Sequence, residues 1–256
     1  MNLIFRNPPN FRLSSELWGD ALPENIVTLL ENVVHNFYVN FEKHKIPLKT
    51  VFIQNSRSKT PVKEVPEIYK EEYCDFIYLT TQGNHWYQYS YQFAHELCHH
   101  VIQCDYFCQN DRFGWIEEAF CELASICTVR QMSKQWRYAP PYLVWEDFAD
   151  VLELECEKII SADENRIDKA FYLWLSDNIE YLYTDRYKRL ENRILSIHLM
   201  PLFEQHPQLW ETTQYLKCIA VTNEMNLYDF ISSWKSYLPN HLKERFNDIE
   251  DLMLGK

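Results

Sequence analysis

The 256-residue sequence predicts an α+β fold: a small mixed sheet with helices in an N-terminal lobe, then a mostly α-helical C-terminal lobe. Three observations carry that prediction. Short runs rich in β-branched and aromatic residues, at 49–54 and 75–81, lie between segments of helical period. Beyond Pro140-Pro141 the chain reads as almost wholly helical. Only four glycines are present, too few for a fold built from many tight hairpins. The double proline marks the seam, giving an α+β lobe over 1–139 and a helical lobe over 140–256, integrated as one domain.

Taken in order, residues 1–20 read as an irregular lead-in punctuated by Pro8, Pro9 and Gly19. Pro23 opens a helix toward Lys45, with Ile26, Leu29, Leu30, Val33, Val34 and Phe37 at helical spacing. Lys49 to Gln54 is the first strand, and the charged, proline-bearing stretch 55–72 is a loop. Asp75 to Thr81 is the second strand, ended by Gln82-Gly83-Asn84. A helix follows from about His85 to Cys104, with Trp86, Phe93, Leu97 and Val101 as its apolar stripe. Another spans about Trp115 to Gln131. The helices expected after the seam are 142–160, 166–183, 186–204, 208–221, 225–237 and 240–253. Glu153-Leu154-Glu155-Cys156-Glu157 reads as a solvated helix face.

Composition narrows the function. A net charge of −12 and the absence of a basic stripe argue against a nucleic-acid partner. No apolar run is long enough for a membrane span. The first residues lack a basic segment followed by an apolar one, and the eight cysteines read as reduced thiols, so the cytoplasm is the expected compartment. Cys98 and Cys121 are expected to be buried packing thiols. Cys104 and Cys108 read as core thiols rather than as a second metal site with His100.

The chemistry is concentrated in His95-Glu96-Leu97-Cys98-His99. Residues four apart on a helix share a face, so both imidazoles can reach one ion. Glu96, rotated about 100° from His95, stands beside that ion, where a carboxylate can take a proton from a bound water. A catalytic zinc needs a third protein ligand and an open fourth position. Eighteen residues, 100–117, separate His99 from Glu118, which stands in Trp115-Ile116-Glu117-Glu118-Ala119-Phe120-Cys121-Glu122.

In these residues the sequence resembles the gluzincin metallopeptidases, in which the His-Glu-x-x-His helix is followed at about that gap by a ligating Glu on a second helix. The likeness is closest to the aminopeptidases of that group, where a Trp-Leu-Asn-Glu-Gly-Phe-like run carries the ligand; here Trp115, Glu118 and Phe120 occupy the corresponding places. The resemblance covers about residues 75–130. It implies His95, His99 and Glu118 as ligands of one zinc ion lying between the two lobes, with Glu96 as general base. By matching to thermolysin-like members, Glu122 braces a ligating histidine. Glu117 is the rival to Glu118, otherwise solvent-facing or a hydrogen-bonding neighbour. The strand before the active helix is implied to be an exposed edge that pairs with a peptide substrate. The Gly-x-Met-Glu-Asn segment that holds a substrate amino terminus is absent, so aminopeptidase specificity is not implied. No counterpart of the residue that stabilises the tetrahedral intermediate stands out, with Tyr138, Tyr142, Tyr172 and His198 all open. His100 reads as a surface or hydrogen-bonding residue.

The expected function is therefore zinc-dependent hydrolysis of peptide bonds in a peptide or protein substrate. The alternatives are a catalytically silent zinc-binding or regulatory protein of the same fold, and a helical interaction scaffold.

Overall fold

A computed structural model describes residues 2–42, 45–102 and 111–256. It is α+β, with a five-stranded mixed sheet in the N-terminal part and helices dominating the rest. The sheet comprises β1 (Asn2–Ile4), β2 (Phe11–Ser14), β3 (Thr50–Asn55), β4 (Glu67–Lys70) and β5 (Cys74–Leu79), in the order β1-β2-β3-β5-β4. β2, β3 and β5 run parallel, and β1 and β4 close the ends antiparallel. Parallel neighbours need crossover connections, and the helix α1 (Pro23–Tyr38) lies in the one joining β2 to β3. Pro23 starts α1 where a missing N–H costs nothing, and its apolar positions from Ile26 to Phe37 are all buried. The helix stops at Tyr38, short of the expected Lys45, because Val39 and Asn40 are poor helix formers.

Three strands were not expected. β1 and β2 are three and four residues long, too short to establish a period, and flank Pro8-Pro9. β4 follows Pro66 and carries Glu67 and Lys70, the charged composition of an end strand. Its presence corrects the expectation that the strand before the active helix is an exposed edge. β5 is paired on both sides, to β3 from Cys74↔Thr50 to Leu79↔Asn55 and to β4 from Asp75↔Lys70 to Tyr78↔Glu67. Ile77 and Leu79 are fully buried, as an interior strand requires.

Eight α-helices are described: α1, α2 (Trp86–Ile102), α3 (Gly114–Trp136), α4 (Phe148–Ile160), α5 (Phe171–Leu182), α6 (Arg189–Gln205), α7 (Leu227–Tyr237) and α8 (Asn240–Leu254). The expected helix at 208–221 is instead a 3-10 helix, Pro207–Cys218. No described helix is long and apolar enough to cross a membrane. The chain divides into two compact units that interleave along the sequence. The first comprises 1–39, 43–101 and 124–159, and the second comprises 40–42, 102–123 and 160–256.

In the first unit, an aromatic cluster joins the start of α2, the end of α3 and the segment that follows it. Trp145 stacks on Trp136 and lies 5.4 Å from Trp86, while Tyr142 meets it edge-on. In α4 the acidic run is only partly solvated. Cys156 is buried there, which pushes its thiol pKa up to about 12. The second unit packs Phe120 against Phe203 and Trp234, and Trp234 against Phe246. Trp234 also donates its indole N–H to the Thr212 carbonyl at 2.8 Å.

A buried polar pair ties the sheet to α2. The His100 Nδ1 donates to Asp75 Oδ2 at 2.5 Å, and Lys49 Nζ lies 3.2 Å from Oδ1. Neither Asp75 nor His100 is exposed. Burial alone would raise the Asp75 pKa, but the hydrogen bond and charge of His100, then Lys49, outweigh it and hold the carboxyl below its ordinary value. A depressed native pKa contributes stability that is fully present above the unfolded value of about 3.9 and is lost as pH falls through the native value. Asp75→Ala should thus cost about 2–4 kcal/mol at pH 7 in urea unfolding. The gap between variant and wild type should narrow near pH 3, and an unchanged gap there would exclude the linkage.

Candidate metal centre on helices α2 and α3

α2 is set in place at both ends. Ahead of it, Gly83 N donates to the Trp18 carbonyl at 2.9 Å, and Gln82 Nε2 donates to the Leu17 carbonyl at 2.8 Å. Gly83 has φ +63°, a left-handed conformation that a side chain would strain, and this turn delivers the chain into the helix. Nearly two turns into α2, Gln92 exchanges two bonds with Thr80, accepting from its N at 3.0 Å and donating to its Oγ1 at 2.7 Å. The His100–Asp75 bond fixes the other end.

The predicted stripe of Trp86, Phe93, Leu97 and Val101 is buried, but so is most of the helix beyond Phe93. That burial takes in Glu96 at 2 % exposure, His99 at 8 % and His100 at 0 %. Three ionisable side chains buried in five consecutive residues would be costly without strong partners. His95 is half-buried, and its ring centroid lies 5.1 Å from that of His99. His100 proves to be the hydrogen-bonding residue rather than the surface one. Its Nε2 is buried with no partner among the described residues.

α3 is a continuous helix of 23 residues. Its Ser125 Oγ donates to the Tyr91 carbonyl of α2 at 2.9 Å. One turn on from Tyr91 stands His95, and one turn back from Ser125 stands Cys121. The ligand-capable atoms of His95, His99 and Cys121 all lie within 4.8 Å of one another. The next turn back along α3 carries Glu117 and Glu118. Cys121, expected only as a packing thiol, is therefore a competitor of Glu118 for the third ligand position.

The two glutamates share one cation. Arg186 donates from Nε to Glu118 Oε1 at 3.0 Å and from Nη2 to Glu117 Oε2 at 2.9 Å. Glu117 is 2 % exposed, a hydrogen-bonding neighbour rather than a solvent-facing residue. Glu122 accepts from Arg193 Nε at 3.0 Å, and Arg193 also pairs with Glu164 at 3.5 Å. Sequence reasoning missed both arginines, because no spacing rule links them to a helix some seventy positions earlier. Of the residues left open for stabilising an intermediate, Tyr142 hydrogen-bonds Thr28 through its hydroxyl at 3.0 Å, and His198 Nδ1 donates to the Ile194 carbonyl at 2.8 Å. Tyr138 is exposed, and Tyr172 lines a cavity of about 430 Å³ with Arg112, Tyr183 and Tyr228. Cys104 and Cys108 lie outside the described residues.

Two imidazoles with a carboxylate or a thiolate form a donor set that zinc takes. Ligand atoms around tetrahedral zinc stand roughly 3.3–3.8 Å apart, and the atoms of this cluster lie within 4.8 Å of one another. The donor chemistry fits the ion. No family model, curated protein or solved structure matches the chain.

Proposed function

We propose that this chain is a zinc-dependent peptidase acting on peptide bonds of peptide or protein substrates. The observation that carries the reading is the pair His95 and His99, one turn apart on α2 with rings 5.1 Å apart, and the buried Glu96 between them. The resemblance to gluzincins supplies the third ligand, Glu118, and the reaction class. Zinc, when bound, polarises the scissile carbonyl and lowers the pKa of its water toward ~7. His95, His99 and Glu118 would hold the ion. Glu96 takes the water's proton and delivers it to the leaving amine. Its burial suits that role, since a carboxylate shielded from water exchanges protons with a reacting group instead of with solvent. By the same resemblance, Glu122 braces a ligating histidine.

One observation favours a second reading. Cys121 within 4.8 Å of both histidines suits a zinc-binding protein with a thiolate ligand and no turnover. Elemental analysis of the purified full chain, then hydrolysis assays on a broad peptide library, test the two together. About one zinc per chain with chelator-sensitive hydrolysis is expected. Zinc without hydrolysis selects the silent reading, and no zinc after reconstitution refutes both.

A further inference from the structure

We infer that Glu67, Tyr69 and Tyr78 form a binding site for a primary alkylammonium, occupied in the free chain by Lys59 and able to take the lysine side chain of a partner peptide in its place. The inference is independent of the zinc reading, and all four residues lie in the first compact unit. Glu67 and Tyr69 are two apart on β4, so they share one face of the sheet. The antiparallel register sets Tyr78 of β5 opposite Glu67, on the same face. The rings of Tyr69 and Tyr78 meet at 89° with centroids 5.9 Å apart, making two walls of a corner. Lys59 Nζ lies in that corner, 3.4 Å from the Tyr69 centroid and 4.4 Å from that of Tyr78. It donates to Glu67 Oε1 at 2.6 Å.

Those contacts define the ligand. Ring faces attract any cation, a quaternary ammonium included. A carboxylate oxygen at 2.6 Å requires an N–H as well, which selects a primary ammonium over a fully methylated one. Lysine ordinarily keeps its ammonium in water and buries only its stem. The Lys59 side chain is instead 20 % exposed, with two rings and a carboxylate around the ammonium. Walls and occupant are built differently. The walls belong to paired strands, whereas Lys59 begins the stretch 59–66, which has no regular structure and in which residues 60–65 are all exposed. Tyr69 is itself 45 % exposed, so the corner can be reached from solvent. A tethered ammonium competes with an external one at an effective concentration on the order of millimolar. The net charge of −12 favours a basic partner over an acidic one.

The test uses the full chain and n-butylammonium as the probe, with near-ultraviolet circular dichroism to confirm packing. In calorimetric titrations, Lys59→Ala should bind n-butylammonium about tenfold more tightly than tetramethylammonium. The double variant Lys59→Ala/Glu67→Gln should bind n-butylammonium about tenfold more weakly than Lys59→Ala does. In wild type, Nα-acetyl-lysine amide above the effective concentration of the tether should displace Lys59 and release the stretch behind it. Cleavage after Glu64 by a glutamate-specific protease should then accelerate, while the norleucine counterpart at equal ionic strength should leave it unchanged. Lys59→Ala, with its stretch already released, should be cut fast with or without the amine. If Lys59→Ala binds no n-butylammonium, or binds it no better than the double variant, the corner is not an ammonium site. If Lys59→Ala binds it but the amine never accelerates wild-type cleavage, Lys59 is a permanent latch and the partner peptide is excluded. Should Lys59→Ala lose its packing, the wild-type cleavage assay decides alone. None of these results bears on the zinc reading.

Discussion

Glu96→Gln should retain one zinc per chain and lose hydrolysis by at least about 10²–10⁴-fold. The substitution replaces one oxygen with an amide nitrogen of nearly the same size, so a residue only 2 % exposed keeps its packing. What disappears is the ability to accept a proton. Because Glu96 stands beside the histidine face rather than on it, its loss leaves both imidazoles in position. Zinc content by elemental analysis and initial rates on a peptide library provide the two readouts. Wild-type rates would remove Glu96 from the chemistry. Loss of zinc together with activity would make it a structural support of the site instead.

The second large effect distinguishes the two candidates for third ligand. Glu118→Gln should lose zinc at concentrations that saturate the wild-type chain, since two histidines alone do not make a catalytic zinc site. Cys121→Ser should keep the wild-type stoichiometry. The opposite pattern assigns the position to the thiolate, and the Co²⁺ spectrum reports this independently through the charge-transfer absorption of a thiolate ligand. Arg186 sharpens the comparison. With Glu118 removed, its guanidinium still pairs with Glu117 at 2.9 Å, so the site is not left with an unpaired buried cation.

The long elements were legible because each repeats its signal. Ile26 to Phe37 state the helical period several times over, and the same holds for α2, α6, α7 and α8. Strands of three or four residues state nothing often enough. Phe11 and Leu13 are the only inward positions of β2, and β4 reads as charged loop because it is an end strand. The edge reading of β5 came from the resemblance, and β4 is the strand that overturns it. In the site, His95 and His99 were legible because a helix turns a four-residue spacing into a shared face. Asp75 and His100 meet at 2.5 Å only because a strand and a helix bring together residues twenty-five positions apart, and Arg186 reaches Glu117 and Glu118 across a still larger separation. Such pairs belong to tertiary structure, and no local rule specifies them. Burial of Cys121 was expected and found, and a buried thiol close to two imidazoles is a potential donor as well as packing.

The aromatic cluster around Trp145 gives the protein an intrinsic optical signature. Trp86 and Trp136 each lie 5.4 Å from Trp145 in a fixed asymmetric arrangement, while Trp115, Trp210 and Trp234 are buried in the second unit. Immobilised indoles of this kind dominate the near-ultraviolet circular dichroism, which vanishes when packing loosens even if helices persist. A variant that has lost only its ion will therefore keep this spectrum, and one that has lost its core will not. The chain carries its own label for telling a chemical defect from a folding defect, in the same cuvette and without modification.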